Sequence, residues 1–86
     1  MSRDWPLLAV AETADVPAQA VVAIVTPDSA PVRRMISQAA RTGTLRDTTG
    51  GRPVRAVVIC APDGVHLSAW APDVLVGRYG RREMVE

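Results

Sequence analysis

Six arginines, Arg33, Arg34, Arg41, Arg46, Arg52 and Arg55, lie between Ser29 and Cys60 with Asp47 as the sole carboxylate among them. That stretch carries a net charge of +5, whereas the whole 86-residue chain carries +1. The flanks are acidic, net −3 over residues 1–28 and −1 over residues 61–86. Charge segregated in this way points to an anionic partner. All ten basic residues are arginine, a choice that fits compositional bias of the genome at least as well as selection for planar, forked phosphate contacts. Arg34, Gln38 and Arg41 fall on one stripe at helical spacing and could face a common partner, although any helix on a small domain has a solvated polar face. In Thr48-Thr-Gly-Gly-Arg-Pro53, two glycines could offer backbone N–H groups to a phosphate with Arg52 beside them; the same string reads equally as a flexible turn joining two strands. It lacks the Lys and Ser/Thr of a nucleotide-binding P-loop, which argues against nucleoside triphosphate hydrolysis.

No catalytic set assembles. His66 is the sole histidine, and a metal site built on it would need carboxylates or symmetry-related copies, so a packed or surface histidine is the plainer reading. Cys60 is the sole cysteine, which leaves no disulfide within one chain, and at the end of an apolar strand a thiol is inert packing. Asp28 and Ser29 resemble a triad fragment only if His66 approaches, and helix capping accounts for both. With Trp5, Trp70 and Tyr79 as the aromatics, there are too few rings for a single-strand stacking platform. The expectation is binding rather than catalysis, with no cofactor and no metal.

The elements that would position the arginines follow from periodicity. Leu7 to Ala11 reads as a first strand, Glu12 to Gln19 as a polar, turn-prone interruption, and Ala20 to Thr26 as an apolar, β-branched strand covered on both faces. Asp28 and Ser29 offer N-cap oxygens, Pro31 suits a first turn, and Val32, Met35, Ile36, Ala39 and Ala40 give the apolar stripe of the principal helix, stopped by Gly43. Thr44 to Asp47 is a short strand. Val54 to Cys60 and Val65 to Trp70 form a hairpin across Ala-Pro-Asp-Gly. In its second strand, Val65, Leu67 and Ala69 share one face, while His66, Ser68 and Trp70 share another that lies outside or at an interface; Trp70 is a candidate subunit contact. Pro72 opens a short helix through Arg78, anchored by Val74, Leu75 and Tyr79. The expected fold is α+β: one domain over residues 1–86, with a small curved antiparallel sheet, one principal amphipathic helix, a short C-terminal helix and flexible tails at 1–6 and 80–86.

A chain of this length buries only roughly 60 to 65% of its unfolded surface, yet 48% of its residues are hydrophobic. Homo-oligomerisation would hide the excess; an Ala- and Val-rich genome would explain it as well. The opening residues do not form a signal peptide, no apolar run approaches a membrane span, and the lone cysteine suits a reducing compartment, so a soluble, cytoplasmic protein is expected.

The run AIVTPDSAPVRRMISQAARTGTLRDTTGGRPVRAVVI, together with HLSAWAPDVL, resembles the RemA family, small bacterial regulators of extracellular-matrix (biofilm) genes. The likeness covers about Val21 to Arg78. Its most specific parts are the cap sequence Thr26-Pro-Asp-Ser-Ala-Pro31 and the Gly-Arg-x-x-Arg-Ala pattern at Gly51 to Ala56. The resemblance implies a DNA-binding transcription factor without a helix-turn-helix, a homo-oligomer whose ring presents a basic rim to double-stranded DNA. Arg52 becomes the leading contact residue, suited to a minor groove from its loop at Gly51, with Arg55, Arg34 and Arg33 as further DNA-binding candidates. Three places depart from the family pattern. The loop carries Arg52-Pro53 where two arginines are usual, Ala20 stands where an arginine is, and Ala11-Glu-Thr-Ala14 replaces a glycine-rich segment. Those departures keep a second reading open, a structural or protein-interaction ring that has lost DNA binding.

Overall fold

The computed structural model describes residues 7–62 and 64–84. In chain order the elements are β1 (Leu7–Ala11), β2 (Ala14–Pro17), a 3-10 turn (Ala18–Ala20), β3 (Val21–Val25), α1 (Ala30–Thr42), β4 (Leu45–Asp47), β5 (Ala56–Cys60), β6 (Val65–Ser68) and α2 (Pro72–Met84). β1 and β2 form a two-stranded antiparallel sheet, and the other strands form a four-stranded sheet in the order β3-β5-β6-β4.

The apolar run of β5 sits at the centre because both of its faces are covered. Ala56, Val58 and Cys60 join a core with Leu8, Val10, Val16, Ala18 and Leu75 from the β1–β2 pair and α2. Val57 and Ile59 project the other way into a core completed by Val32, Ile36 and Ala39 of α1 and by Val65 and Leu67 of β6. The molecule is therefore layered, with α1 on one face of the four-stranded sheet and the β1–β2 pair with α2 on the other. Leu75 and Tyr79, one helical turn apart, dock α2 onto the first core.

Local chemistry sets the helix ends. The Val32 amide donates to Ser29 Oγ at 3.3 Å, Pro31 occupies the first turn, and Gly43 takes φ 79° at the C-cap, a left-handed conformation that glycine adopts without steric cost. Met35 and Ala40, expected on the packed stripe, are exposed. Three apolar positions, Val32, Ile36 and Ala39, suffice to seat the helix on a small sheet.

Five further expectations are corrected. The four-stranded sheet is mixed rather than antiparallel, since β4 runs parallel to β6; the β5–β6 hairpin reverses the chain and returns β6 in β4's direction. The run from Ala20 to Thr26 is not covered on both faces. As β3 it pairs with β5 alone, at the sheet edge, with a register shift between Val21 and Ala23 and with Val22 66% exposed; a bulge on an edge strand is a common way to blunt it. Within Glu12 to Gln19 lies a strand, β2, whose single inward valine, Val16, is too sparse a signal for periodicity to reveal. α2 is not short: with no proline after Pro72 to stop it, it continues past Arg78 to Met84 and matches α1 in length, and Val74 is exposed rather than an anchor. Finally, the His66–Ser68–Trp70 face is largely covered by the chain itself. Ser68 is fully buried, Trp70 packs on the first core, and the Arg78 guanidinium lies 4.6 Å from the Trp70 ring centroid, a cation–π arrangement.

Ser68 joins the two sheets. Its hydroxyl donates to the Val10 carbonyl at 2.7 Å and accepts from the Trp70 amide at 3.1 Å. Ser68→Ala leaves that carbonyl buried and unsatisfied, which costs about 1–3 kcal/mol. The expected outcome is a fall in thermal midpoint of roughly 4–8 °C per kcal/mol, read by circular dichroism; an unchanged midpoint would show that the hairpin layer is held by apolar contact alone.

Candidate nucleic-acid interface

The segment between β4 and β5 carries Gly51, Arg52 and Arg55, and it is fastened at both ends to β6. The Thr48 amide and hydroxyl both donate to the Leu67 carbonyl, at 3.0 and 2.7 Å, and the Arg55 amide donates to Ser68 O at 2.8 Å. Between those anchors the chain turns about Thr49. The Asp47 carboxylate accepts from the Thr49 amide at 2.9 Å and from the Thr49 hydroxyl at 2.6 Å. Thr49 Oγ1 in turn accepts from the Gly51 amide at 3.3 Å, and the Arg52 amide donates to Thr49 O at 3.2 Å. Thr49 is 2% exposed, while Gly50 to Pro53 stand in solvent. The segment is thus a braced turn rather than a flexible connector.

The brace has two consequences for an anion. The Gly51 amide is engaged by the Thr49 hydroxyl at 3.3 Å. The Arg52 guanidinium, by contrast, is steered. Its Nε lies 3.4 Å from Thr49 O, which leaves both terminal nitrogens uncommitted at the loop tip. Gly50 and Gly51 take φ 65° and 86°, so the reversal that presents Arg52 uses successive left-handed residues. The Thr49 hydroxyl and then its amide hold Asp47 below the usual carboxylate range, against a weaker opposing effect of burial. A fixed negative charge therefore stands at the root of the basic loop.

α1 supplies the rest of the basic surface. Arg33 lines a groove with Pro27, Ile36, Ser37, Val54 and Leu67, so it reaches the root of the loop. Its Nη1 donates to Asp28 O at 2.6 Å. Arg33 also borders a shallow depression with Ala30, Arg34, Ser37, Gln38 and Arg41, which is the stripe that helical spacing anticipates. Arg34 and Arg41 share that depression and not the loop. Arg33 connects the two regions, and Arg55 stands exposed at the entry to β5. Among the described residues, no carboxylate forms an ion pair with Arg33, Arg34, Arg41, Arg52 or Arg55. Arg46 lies apart, on β4 opposite His66 of β6.

Asp47 and Thr49 are the bracing residues that spacing did not single out. An Asp followed two residues on by a hydroxyl and then by two glycines is the composition of a side-chain-braced turn, and that signal was present in Asp47-Thr-Thr-Gly-Gly51. The groups that might have suggested catalysis are committed elsewhere. Ser29 caps α1, and burial pushes the Cys60 thiol up, away from the thiolate. Among the described residues, no group of three or more His, Cys, Asp or Glu side chains could hold a metal ion, and no helix is long and apolar enough to cross a membrane.

Against known proteins, residues 7–79 match the family model for RemA-like proteins, described as extracellular matrix regulatory protein A-like. The chain belongs to the RemA-like family. A relative from Symbiobacterium thermophilum is 50% identical over 68 residues, covering 79% of this chain and 72% of the relative. One from Heliobacterium modesticaldum is 46% identical over 70 residues, with 81% and 77% covered. One from Synechococcus elongatus is 48% identical over 63 residues, with 73% and 72% covered. All three are named as candidate regulatory proteins. The RemA-like match begins earlier than the likeness from Val21 to Arg78, and takes in β1 and β2 as well.

The bracing of this RemA-like loop can be tested through Asp47. A carboxylate whose folded-state pKa is lowered adds stability above its unfolded value, about 3.9, and loses it as pH falls through the lower folded value. Thr49→Val removes the hydroxyl that contributes most to the lowering. Carboxyl-carbon NMR should show the Asp47 midpoint rising toward the ordinary value, with faster amide exchange at Gly51 and Arg52; an unmoved midpoint would mean that the hydroxyl does not brace the loop.

Proposed function

We propose that this RemA-like chain is a DNA-binding transcriptional regulator of matrix genes that works in the cytoplasm as a homo-oligomeric ring, presenting arginines to the backbone and grooves of the duplex. The observation that carries the reading is Arg52, exposed at the tip of a turn braced by Asp47 and Thr49, with its terminal nitrogens uncommitted. The regulatory names of the relatives and the +5 segment support it.

Arg52 is suited to a narrow minor groove, whose negative potential attracts inserted arginine. Arg33, Arg34 and Arg55 are suited to phosphates, which fix register without reading sequence. So few contacts from one copy hold DNA weakly, since non-specific binding lies at about 10⁻⁴ to 10⁻⁶ M in physiological salt. Repetition around a ring would multiply them, because each further site binds at raised effective concentration. Gly51 serves by conformation: at φ 86°, a side chain there would strain the backbone that aims Arg52. No nucleophile or general acid is needed for this work.

A second reading keeps the ring and discards DNA. It is favoured by exposed Pro53, which stands where the family pattern has a second arginine. Anisotropy on a long duplex across a salt series separates the two, using protein whose assembly size is fixed by light scattering. The expected result is a steep fall of log affinity with log salt, about 0.9 per neutralised phosphate. Arg52→Ala should weaken binding at least about tenfold, in line with the loss of a charged hydrogen-bond donor, at unchanged assembly size and thermal midpoint. An intact oligomer that shows no salt-sensitive binding would establish the second reading instead.

A further inference from the structure

Away from the basic loop, a cationic and a potentially cationic side chain are brought together, and among the described residues neither forms an ion pair. The parallel register of β4 and β6 sets Arg46 directly beside His66, and strand pairing puts paired side chains on the same face. With Thr44 and Gly64 they line a recess of about 190 Å³. A water's share of liquid volume is about 30 Å³, so the recess has room for an anion of several heavy atoms. The His66 imidazole is half-buried and makes no hydrogen bond to the chain among the described residues. Arg46 Nη1 donates to the Gly43 and Leu45 carbonyls, each at 3.2 Å, which ties the guanidinium down while Nε and Nη2 remain uncommitted. Gly64, at φ 131°, leaves His66 Nε2 uncovered: a Cβ there would stand 3.6 Å from that nitrogen.

Among the described residues, no carboxylate pairs with either side chain. From β5, His66 faces Val58, and Cys60 near Gly64 is kept as a thiol by burial. Burial, and after it the Arg46 charge, are what act on His66, both disfavouring its protonated form. A guanidinium and an imidazole held side by side, with no acceptor for them among the described residues beyond the Gly43 and Leu45 carbonyls, form a site that an oxyanion would complete.

We infer that the recess between Arg46 and His66, closed by Thr44 and Gly64, is a binding site for a small phosphate-type oxyanion, separate from the duplex-facing loop. The anion takes charge-assisted bonds from Arg46 and from protonated His66, with the Thr44 hydroxyl within the same recess. Because β4 and β6 are parallel, Thr44 and Gly64 stand at the strand ends opposite to those from which the basic loop departs, so occupation does not require DNA. The inference stands independently of the DNA reading.

The test is an NMR titration of the full chain with inorganic phosphate, at ionic strength held constant with chloride. Phosphate should raise the His66 midpoint saturably, since an opposite charge favours imidazolium, and should shift the Thr44, Arg46 and Gly64 amides together. Arg46→Gln, an exposed and size-matched change checked for native spectral dispersion, should weaken phosphate binding about tenfold or more. A short duplex, added in a parallel arm, should move Gly51 and Arg52 and leave His66 in place. No saturable response of His66 to phosphate, wild-type affinity in Arg46→Gln, or a response of His66 to duplex but not to phosphate would each overturn the inference.

Discussion

The structure depends on one strand being buried on both faces. Ala56-Val-Val-Ile-Cys60 offers no polar side to water, so it must lie inside the sheet, between β3 and β6, with a layer above and a layer below. The chain, however, arrives from β4, which occupies the far edge beyond β6. The segment from Thr48 to Arg55 has to carry it past the end of β6 to the interior position. The basic loop is therefore the crossing that the central strand demands, and its length and exposure follow from topology before any question of binding. Its two fastenings to Leu67 O and Ser68 O are made to the strand being crossed.

That origin explains why the loop can be rigid without being buried. A crossing of this length, left to itself, would sample many conformations, and ordering it costs backbone entropy of about 1–2 kcal/mol per residue. The Asp47–Thr49 brace meets part of that cost locally, through a charge-assisted bond at 2.6 Å and the bonds that Thr49 makes to Gly51 and Arg52. Asp47 is thus the structural root of the loop.

What the sequence made legible, and what it did not, divides along the same line. The α1 cap at Ser29, the stop at Gly43, the β5–β6 hairpin and the outward stripe of Arg34, Gln38 and Arg41 are all set within a few residues of chain, and periodicity and capping chemistry reach that far. The parallel pairing of β4 with β6, the edge position of β3 and the burial of Ser68 under Val10 are set by contacts between distant segments. A short alternating strand such as Val65-His-Leu-Ser68 reads identically whether its polar face meets solvent or a second layer. The β1–β2 hairpin, which covers that face, was half hidden because Val16 alone marks β2 as inward. Charge segregation marks six arginines alike, and the family resemblance narrows them to Arg33, Arg34, Arg52 and Arg55; that Arg33 borders both the helix depression and the groove beside the loop is a matter of tertiary placement.

Pro53 changes the character of the loop as well as its charge. A proline restricts the residue before it to extended backbone conformations, and that residue is Arg52. Proline also contributes no amide donor, and none is needed there, because the ladder resumes only with the Arg55 amide on Ser68 O. Where the family pattern has two adjacent arginines, this chain has one arginine whose backbone is constrained from behind by the Thr49 brace and from ahead by the proline ring. A pre-ordered donor gives up less conformational entropy on binding than a mobile one, on the order of 0.5–1.5 kcal/mol for a long side chain. A ring in place of a second guanidinium thus leaves one charge fewer at the loop tip and a more restricted backbone at the arginine that remains.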